Sequence, residues 1–277
     1  MSDEVIRVST EWLALREPAD AAARSRELVE HLVVPPTGRW VIHDLGGGAG
    51  AMGRWLAPLL DGPQHWVVHD RDADLLAVAT ADLPGPAADG APVTVEARQS
   101  DITRLAPREL AGATLITASA LLDMLTENEL DGLVTACAGA GCPILVAMSV
   151  VGRVELTPAD ALDERVADAF NAHQRRKTER GRLLGPDAAA AAVERFGPLG
   201  AEVLVAPSPW RLAAPHAELT EVWLTGWVGA ACEQRPELTA QADVYAQERL
   251  AQASAGQLAV TVDHADLLAL PGRPQSD

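Results

Sequence analysis

The chain lacks the marks of several large protein classes. Its three cysteines, Cys137, Cys142 and Cys232, are odd in number and lack the tight spacing of a zinc site. That excludes a disulfide framework and leaves reduced thiols as the expected state. No apolar run approaches the roughly 18 residues needed to cross a bilayer. The first residues, MSDEVIRVST, carry no basic segment followed by an apolar one. A cytoplasmic protein without a membrane span is therefore expected. Basic residues are scarce: 22 Lys and Arg stand against 39 Asp and Glu, a net charge of −17. Nucleic-acid binders need a basic face, so a nucleic-acid partner is disfavoured. The one basic run, HQRRKTERGR from His173 to Arg182, sits on a helical pattern and reads as a solvated helix face. The seven histidines are scattered, none paired at metal-site spacing, so no metal is expected. No internal repeat is visible.

What is present is a core. The chain is 48% hydrophobic, enough to fold compactly. EWLALREPADAAARSRELVEHLVV repeats its apolar residues at helical spacing; Pro18 is expected to start a second helix, and PPTG to end it. From Arg39 the pattern changes to short apolar runs bounded by turn residues, each followed by a helical stretch. RWVIHDL, QHWVVHD, VTVEARQSD, ATLITAS and CPILVAMSVVG read as five strands. Strands alternating with helices imply crossover connections and a mostly parallel sheet. The rhythm breaks at about residues 153–200, where two helical patterns look inserted after strand five. GAEVLVAPS and QLAVTVDHADLLAL then supply further strands. The expected organisation is a helical N-terminal cover over 1–38, an α/β domain over 39–270 and a disordered tail over 271–277.

The turn after the first strand, VIHDLGGGAGAMGRW, focuses the functional question. Gly48, Gly50 and Gly53 satisfy a dinucleotide fingerprint, with Asp70 about 20 residues further on. The same stretch also reads as acid-x-Gly-x-Gly-x-Gly over Asp44, Gly46, Gly48 and Gly50. Bare glycines let a ligand approach the backbone. A carboxylate at the mouth suits a ligand with positive charge and is an awkward neighbour for a pyrophosphate. S-adenosylmethionine brings an α-amino group and a sulfonium, and no phosphate.

On these residues the sequence resembles the class I S-adenosylmethionine-dependent methyltransferases. VIHDLGGGAG is similar to their first motif, HWVVHDRDADLL to the second-strand motif, RQSDIT to the segment after strand three, and LITASALLDML to the fourth-strand motif. The resemblance runs over roughly 40–150. It implies a seven-stranded, mostly parallel Rossmann-like sheet whose last strand, here GQLAVTVDHADLL, runs antiparallel. It also implies that Asp70, followed by Arg71, takes the ribose hydroxyls, that Asp101 meets the adenine amino group with Ile102 beside the ring, and that Ser119 faces the methyl donor. The N/D-P-P-Y/F tetrapeptide used on exocyclic and amide nitrogens is absent, and the one Tyr is Tyr245.

Other candidates stand beside plainer readings. Arg16 and Arg24, in the helical cover, suit the cofactor's methionine carboxylate, or they make salt bridges with Asp20 or Glu27. Asp101 can equally cap the helix ITRLAPREL. For the acceptor, His173 or Asp123 is the candidate base, with Asn171, Gln174 and Trp210 lining its pocket; a solvated helix explains the 171–174 group as well. Trp223 and Trp227 read as core, and His264 and Asp266 as loop residues after the final strand. The expectation is a methyltransferase that uses S-adenosylmethionine, releases S-adenosylhomocysteine, and acts on an O or N nucleophile of a small molecule, a homodimer being allowed. The rivals are an NAD-dependent oxidoreductase and a cofactor-binding protein without turnover.

Overall fold

The computed structural model describes residues 8–272. Two helices, α1 (Thr10–Ala23) and α2 (Arg26–Val29), precede the first strand. Then come β1 (Trp40–Leu45), α3 (Ala51–Leu56), β2 (Gln64–Asp70), α4 (Ala73–Ala81), β3 (Val93–Gln99), β4 (Leu115–Ser119), α5 (Glu127–Gly139) and β5 (Ile144–Thr157). The second half runs α6 (Asp163–Gln174), β6 (Lys177–Thr178), β7 (Gly181–Arg182), α7 (Ala188–Phe196), β8 (Glu202–Pro207), β9 (Trp210–Leu212), α8 (Ala217–Gln234), α9 (Thr239–Ser254) and β10 (Ala259–Leu270). Among these residues no helix is long and apolar enough to cross a membrane.

The main sheet has the order β3-β2-β1-β4-β5-β10-β8. Neighbours from β3 to β5 are parallel, while β10 is antiparallel to β5 and β8. This is the expected Rossmann-like methyltransferase sheet with its antiparallel last strand. One short strand, β9, is added against the first residues of β10, and β6 and β7 form a separate two-stranded hairpin.

Alternation along the strands builds two large cores, beside a small third cluster of Val68, Leu76 and Ala79. Ile42, Trp66, Leu115, Leu145 and Leu268 join one cluster with Met52, Trp55 and Leu56 of α3 and Leu224 and Trp227 of α8. Leu45, Ile116, Ile144, Val146 and Leu267 join the other with Leu130 and Val134 of α5 and Ala192 and Phe196 of α7. Between β3 and β4 the chain makes only two short 3-10 turns, Ile102–Arg104 and Pro107–Leu110, in place of a crossover helix. Toward that edge the second face is therefore polar, with His65 half-buried and Thr94, Glu96 and Arg98 exposed. His43 and His69 stack there, their facing ring nitrogens 2.9 Å apart, and His69 reaches Ser100 Oγ at 3.1 Å. Burial holds both rings to a pKa of about 4, so both are neutral at pH 7.

Four expectations need correction. Pro18 lies inside α1 and starts no helix: it and Ala14, whose carbonyl it leaves without an amide partner, both face solvent. The break falls at Arg24–Ser25, and Ser25 caps α2 through Leu28 N. Strand five does not stop at Gly152 but continues to Thr157, pairing with the start of β10, so the helical segment begins later than 153. The basic run 173–182 is not one helix face: α6 ends at Gln174, and residues 177–182 turn through the hairpin. His264 and Asp266 sit within β10. Of the expected tail, 273–277 lie outside the described residues.

Candidate cofactor and acceptor site

Parallel register brings the carboxyl ends of four strands to one edge. Leu45 lies beside His69 and Ala118, Asp70 beside Gln99, and Ser119 beside Ala147. Ligands of open α/β sheets bind at such an edge. A groove of about 320 Å³ among Val29, Trp40, Leu60 and Asp61 lies at the other end of β1, away from it.

The glycine turn is shaped residue by residue. Gly46 and Gly48 have φ of +64° and +52°, and Gly50, at +85°, leads into α3; these are conformations that side-chain-bearing residues avoid. At Gly47 the reason differs: a Cβ would lie 2.5 Å from Asp44 Oδ2 and 2.7 Å from Val68 Cγ1. Leu121 packs over Gly46, and Leu13 of α1 sits 3.6 Å from where a Gly48 Cβ would be, so the N-terminal cover lies over the turn. Gly48 N donates to Asp70 Oδ2 at 2.9 Å, and Asp72 N donates to its other oxygen. Asp70 is thus held at the turn.

Asp44 is fully buried (0% exposed). Thr117 Oγ1 donates to its Oδ1 at 2.7 Å, while Oδ2 has no partner. Burial raises its pKa to about 7, against the opposing effects of Thr117 and Arg24. Arg24 is 4% exposed. It donates to Ser119 Oγ at 3.1 Å and Ala51 O at 3.4 Å, lies over the Trp55 ring, and leaves Nε unpartnered. Burial lowers its pKa, and Asp20, Asp44 and Asp266 support its charge. No ion pair joins Arg24 to Asp44. The salt bridge considered for Arg16 does form, to Asp20 at 2.9 Å, whereas Arg24 bonds neither Asp20 nor Glu27 through its side chain.

Arg16 is braced rather than free. It packs over Trp12 and Trp210, and Trp210 Nε1 donates to Asp20 at 2.8 Å. Trp210 is only 3% exposed, so it pins α1 to β9 instead of offering an open wall.

Beyond β4 the backbone is strained. Ala120 has φ +50° and Met148, inside β5, φ +58°, left-handed values that non-glycine residues adopt at a cost. Ala120 N bonds Ala147 O at 3.0 Å, which ties the two bends together. The turn sends Leu121 over Gly46 and leads to Asp123. Burial raises the pKa of Asp123, and the charges of Arg16 and Arg176 lower it. The hairpin segment packs against this loop: Leu184 N donates to Leu125 O at 2.8 Å, Leu183 bridges to Thr126, and Arg180 donates to Met124 O at 3.3 Å.

The remaining candidates divide. Asp101 accepts from Thr103 N and Oγ1 at 3.0 and 2.7 Å, and so does cap the 3-10 turn that holds Ile102. Arg71 follows Asp70, and its carbonyl accepts from Gln99. His173 turns Nε2 to Glu233 at 3.2 Å, with its pKa lowered by burial. Asn171 Nδ2 donates to Gly152 O at 2.7 Å, bracing β5. Gln174 keeps a buried Oε1 without a partner. Trp227 is core, and Trp223 stacks on it. Sequence reasoning missed Thr117 and Arg176, and named Asp20 only as a salt-bridge partner. It placed Asp266 in a loop, whereas that residue and a second acid, Asp263, both stand within the closing strand.

No protein-family model matches the chain, and no curated protein matches it by sequence. Many solved structures are similar in shape. A cyclopropane synthase from Mycobacterium tuberculosis is 13% identical, with 95% of this chain and 94% of that one covered and a TM-score of 0.49. A SAM-dependent methyltransferase from Thiobacillus denitrificans in complex with S-adenosyl-L-homocysteine is 14% identical over 97% and 96%, at 0.42. A magnesium protoporphyrin IX methyltransferase from Synechocystis PCC 6803 with bound SAM is 12% identical over 72% and 73%, at 0.39.

Proposed function

We propose that the protein is an S-adenosylmethionine-dependent methyltransferase that methylates an O or N nucleophile of a small molecule and releases S-adenosylhomocysteine. One observation carries this reading: two buried, opposite and incompletely partnered charges meet the glycine turn, Asp44 with its free Oδ2 and Arg24 with its free Nε. An amino-acid tail carries the complementary pair, an ammonium and a carboxylate. A dinucleotide's pyrophosphate would bring negative charge toward Asp44, which argues against the NAD reading.

When bound, S-adenosylmethionine supplies a methyl group on a positively charged sulfur, open to in-line attack. In this reading Arg24 takes the methionine carboxylate and Asp44 the α-amino group. Gly46, Gly48 and Gly50 admit the ligand against the backbone, Asp70 takes the ribose hydroxyls, and Asp101 and Ile102 receive the adenine. Ser119 fixes the Arg24 guanidinium, and Arg16 closes the cover. Asp123 is the group to accept the acceptor's proton: it stands on the loop after β4, and burial raises its pKa above the ordinary carboxylate value. Gln174 offers a buried acceptor oxygen nearby in sequence to the hairpin that packs on this loop. The acidic chain and the cover of α1 favour a small acceptor over nucleic acid.

Calorimetric titration with S-adenosylhomocysteine and with NAD, on the native protein and on Asp70→Ala, tests this. Micromolar S-adenosylhomocysteine binding, lost by about a hundredfold in the variant, with NAD silent, is expected. NAD binding without a response to S-adenosylhomocysteine overturns the proposal.

A further inference from the structure

Asp266 lies in the middle of β10, 1% exposed, and its carboxylate collects three donors from three distant segments. Oδ1 accepts from Met148 N at 2.8 Å and from Ser208 Oγ at 2.5 Å; Oδ2 accepts from Ser25 N at 2.8 Å. A charge this deep is costly unless hydrogen-bonded, so a single central carboxylate with every partner supplied by the chain is a built feature.

Each donor belongs to a segment that regular secondary structure leaves unsecured. Met148 is left-handed within β5, at a place where the β5–β10 register shifts. Ser208 is the turn between β8 and β9, its own N–H tied to His264 O at 2.9 Å. Ser25 is the break between α1 and α2, an extended residue whose backbone N–H lies outside both helices. The residue before it is Arg24. Its guanidinium is fastened to Ser119 and Ala51 with Trp55 beneath, but its backbone sits at the break. The Ser25 N–H to Asp266 bond joins that break to the sheet, and the two opposite charges, Arg24 and Asp266, act on each other across it.

We infer that Asp266 is a positioning residue: through Ser25 it sets the place of Arg24, and so governs the grip on the amino-acid tail of the cofactor but not on its nucleoside. This rests on the cofactor reading given above. The consequence is specific. Losing the bond lowers affinity for a ligand with the tail and spares a ligand without it.

Ser25 allows the bond to be broken from the donor side, the ring carbon of a proline taking the place of the hydrogen aimed at Asp266 Oδ2. Its φ of −71° and the extended ψ of Arg24, 137°, are compatible with proline at position 25. Ser25→Pro deletes the N–H together with the Oγ cap of α2. Ser25→Ala deletes only the cap and is the control. Both variants and the native protein are titrated with S-adenosylhomocysteine and with adenosine, and Asp266→Asn is measured in parallel with its thermal midpoint. Relative to Ser25→Ala, Ser25→Pro is expected to lose about tenfold in S-adenosylhomocysteine affinity with adenosine changed less than about twofold. Asp266→Asn is expected to show the same separation with a lower melting temperature. Equal affinities of Ser25→Pro and Ser25→Ala for S-adenosylhomocysteine overturn the inference. So does a parallel fall for both ligands, which would mark a merely structural tie. Silence of the native protein toward S-adenosylhomocysteine strikes instead at the cofactor reading, and the positioning role falls with it.

Discussion

The two halves of the molecule treat their polar side chains differently. Along the carboxyl edge of β1–β4, buried charges are left short of partners: Asp44 Oδ2 and Arg24 Nε have none, and nearby the half-buried Asp123 has its pKa raised. Beyond β5, charged groups pair with charged partners from within the chain, the buried atoms left without a partner there, among the described residues, being Gln174 Oε1, Trp227 Nε1 and Arg249 Nε. Arg249 grips Asp163 with both oxygens engaged, Tyr245 OH donates to the same carboxylate at 2.6 Å, Arg175 pairs with Asp187, and His173 with Glu233. Groups that hold structure are satisfied by the fold, because an unanswered buried polar atom costs stability. Groups left wanting are the ones a ligand can complete. What separates Arg24 from Arg249, each with a bare Nε, is the ion pair: Arg249 holds Asp163, while Arg24 holds no carboxylate.

The strongest way to break this contrast is at Asp44. Asp44→Asn keeps an oxygen for Thr117 and removes the charge, and S-adenosylhomocysteine affinity is expected to fall by about a hundredfold or more. The free protein should gain stability by the same change. A carboxyl whose folded pKa is raised from 3.8 to about 7 loses stability as pH rises through that interval. The melting temperature of Asp44→Asn relative to the native protein should therefore climb from pH 4 to pH 7 and level off above. A flat difference would show that the carboxylate is not strained by burial.

Asp123→Asn should sharpen the line between the cofactor edge and the acceptor side. Binding of S-adenosylhomocysteine is expected to stay within about twofold while methyl transfer, followed as S-adenosylhomocysteine formation, slows by about a hundredfold. If binding falls instead, Asp123 belongs to the cofactor half. A smaller effect lies on the polar sheet face. Because His43 and His69 are held near pKa 4, the folded state binds fewer protons than the unfolded one between pH 6.5 and 4, and stability from this pair is lost as pH falls through that window. His69→Asn should make the melting temperature less dependent on pH there than in the native protein. The smallest effect is expected at His173→Asn: unchanged binding and turnover, and less than about 1 kcal/mol from the exposed pair with Glu233. A tenfold loss of turnover would return His173 to the acceptor site.

Much of the fold was legible in the sequence because its signals are local. Strand β2 and helix α5 follow directly from apolar runs between turn residues, and the acid-glycine turn marked the edge where the site lies. The candidate site was half legible. Asp44 and Asp70 could be picked out since each ends a strand, where chain direction alone puts them at one edge. Trp210 and His173 could not be judged, because what decides them is a partner far away in the chain: Asp20 for the tryptophan, Glu233 for the histidine. Pro18 misled for a related reason. A proline inside a helix is tolerated where the freed carbonyl meets water, and solvent exposure is a property of packing. Asp266 looked like a loop residue while its three partners, at positions 25, 148 and 208, remained out of sight.

The three consecutive glycines at 46–48 bear on when disorder is removed. In an unfolded chain such a run is among the most mobile of sequences, and fixing it is entropically expensive. Here Gly46 lies under Leu121, Gly47 is pressed between Asp44 and Val68, and Gly48 is held by Asp70. The turn is set before anything arrives, so the loss of freedom accompanies folding, and a ligand meets a rigid cradle whose ordering no longer subtracts from its affinity.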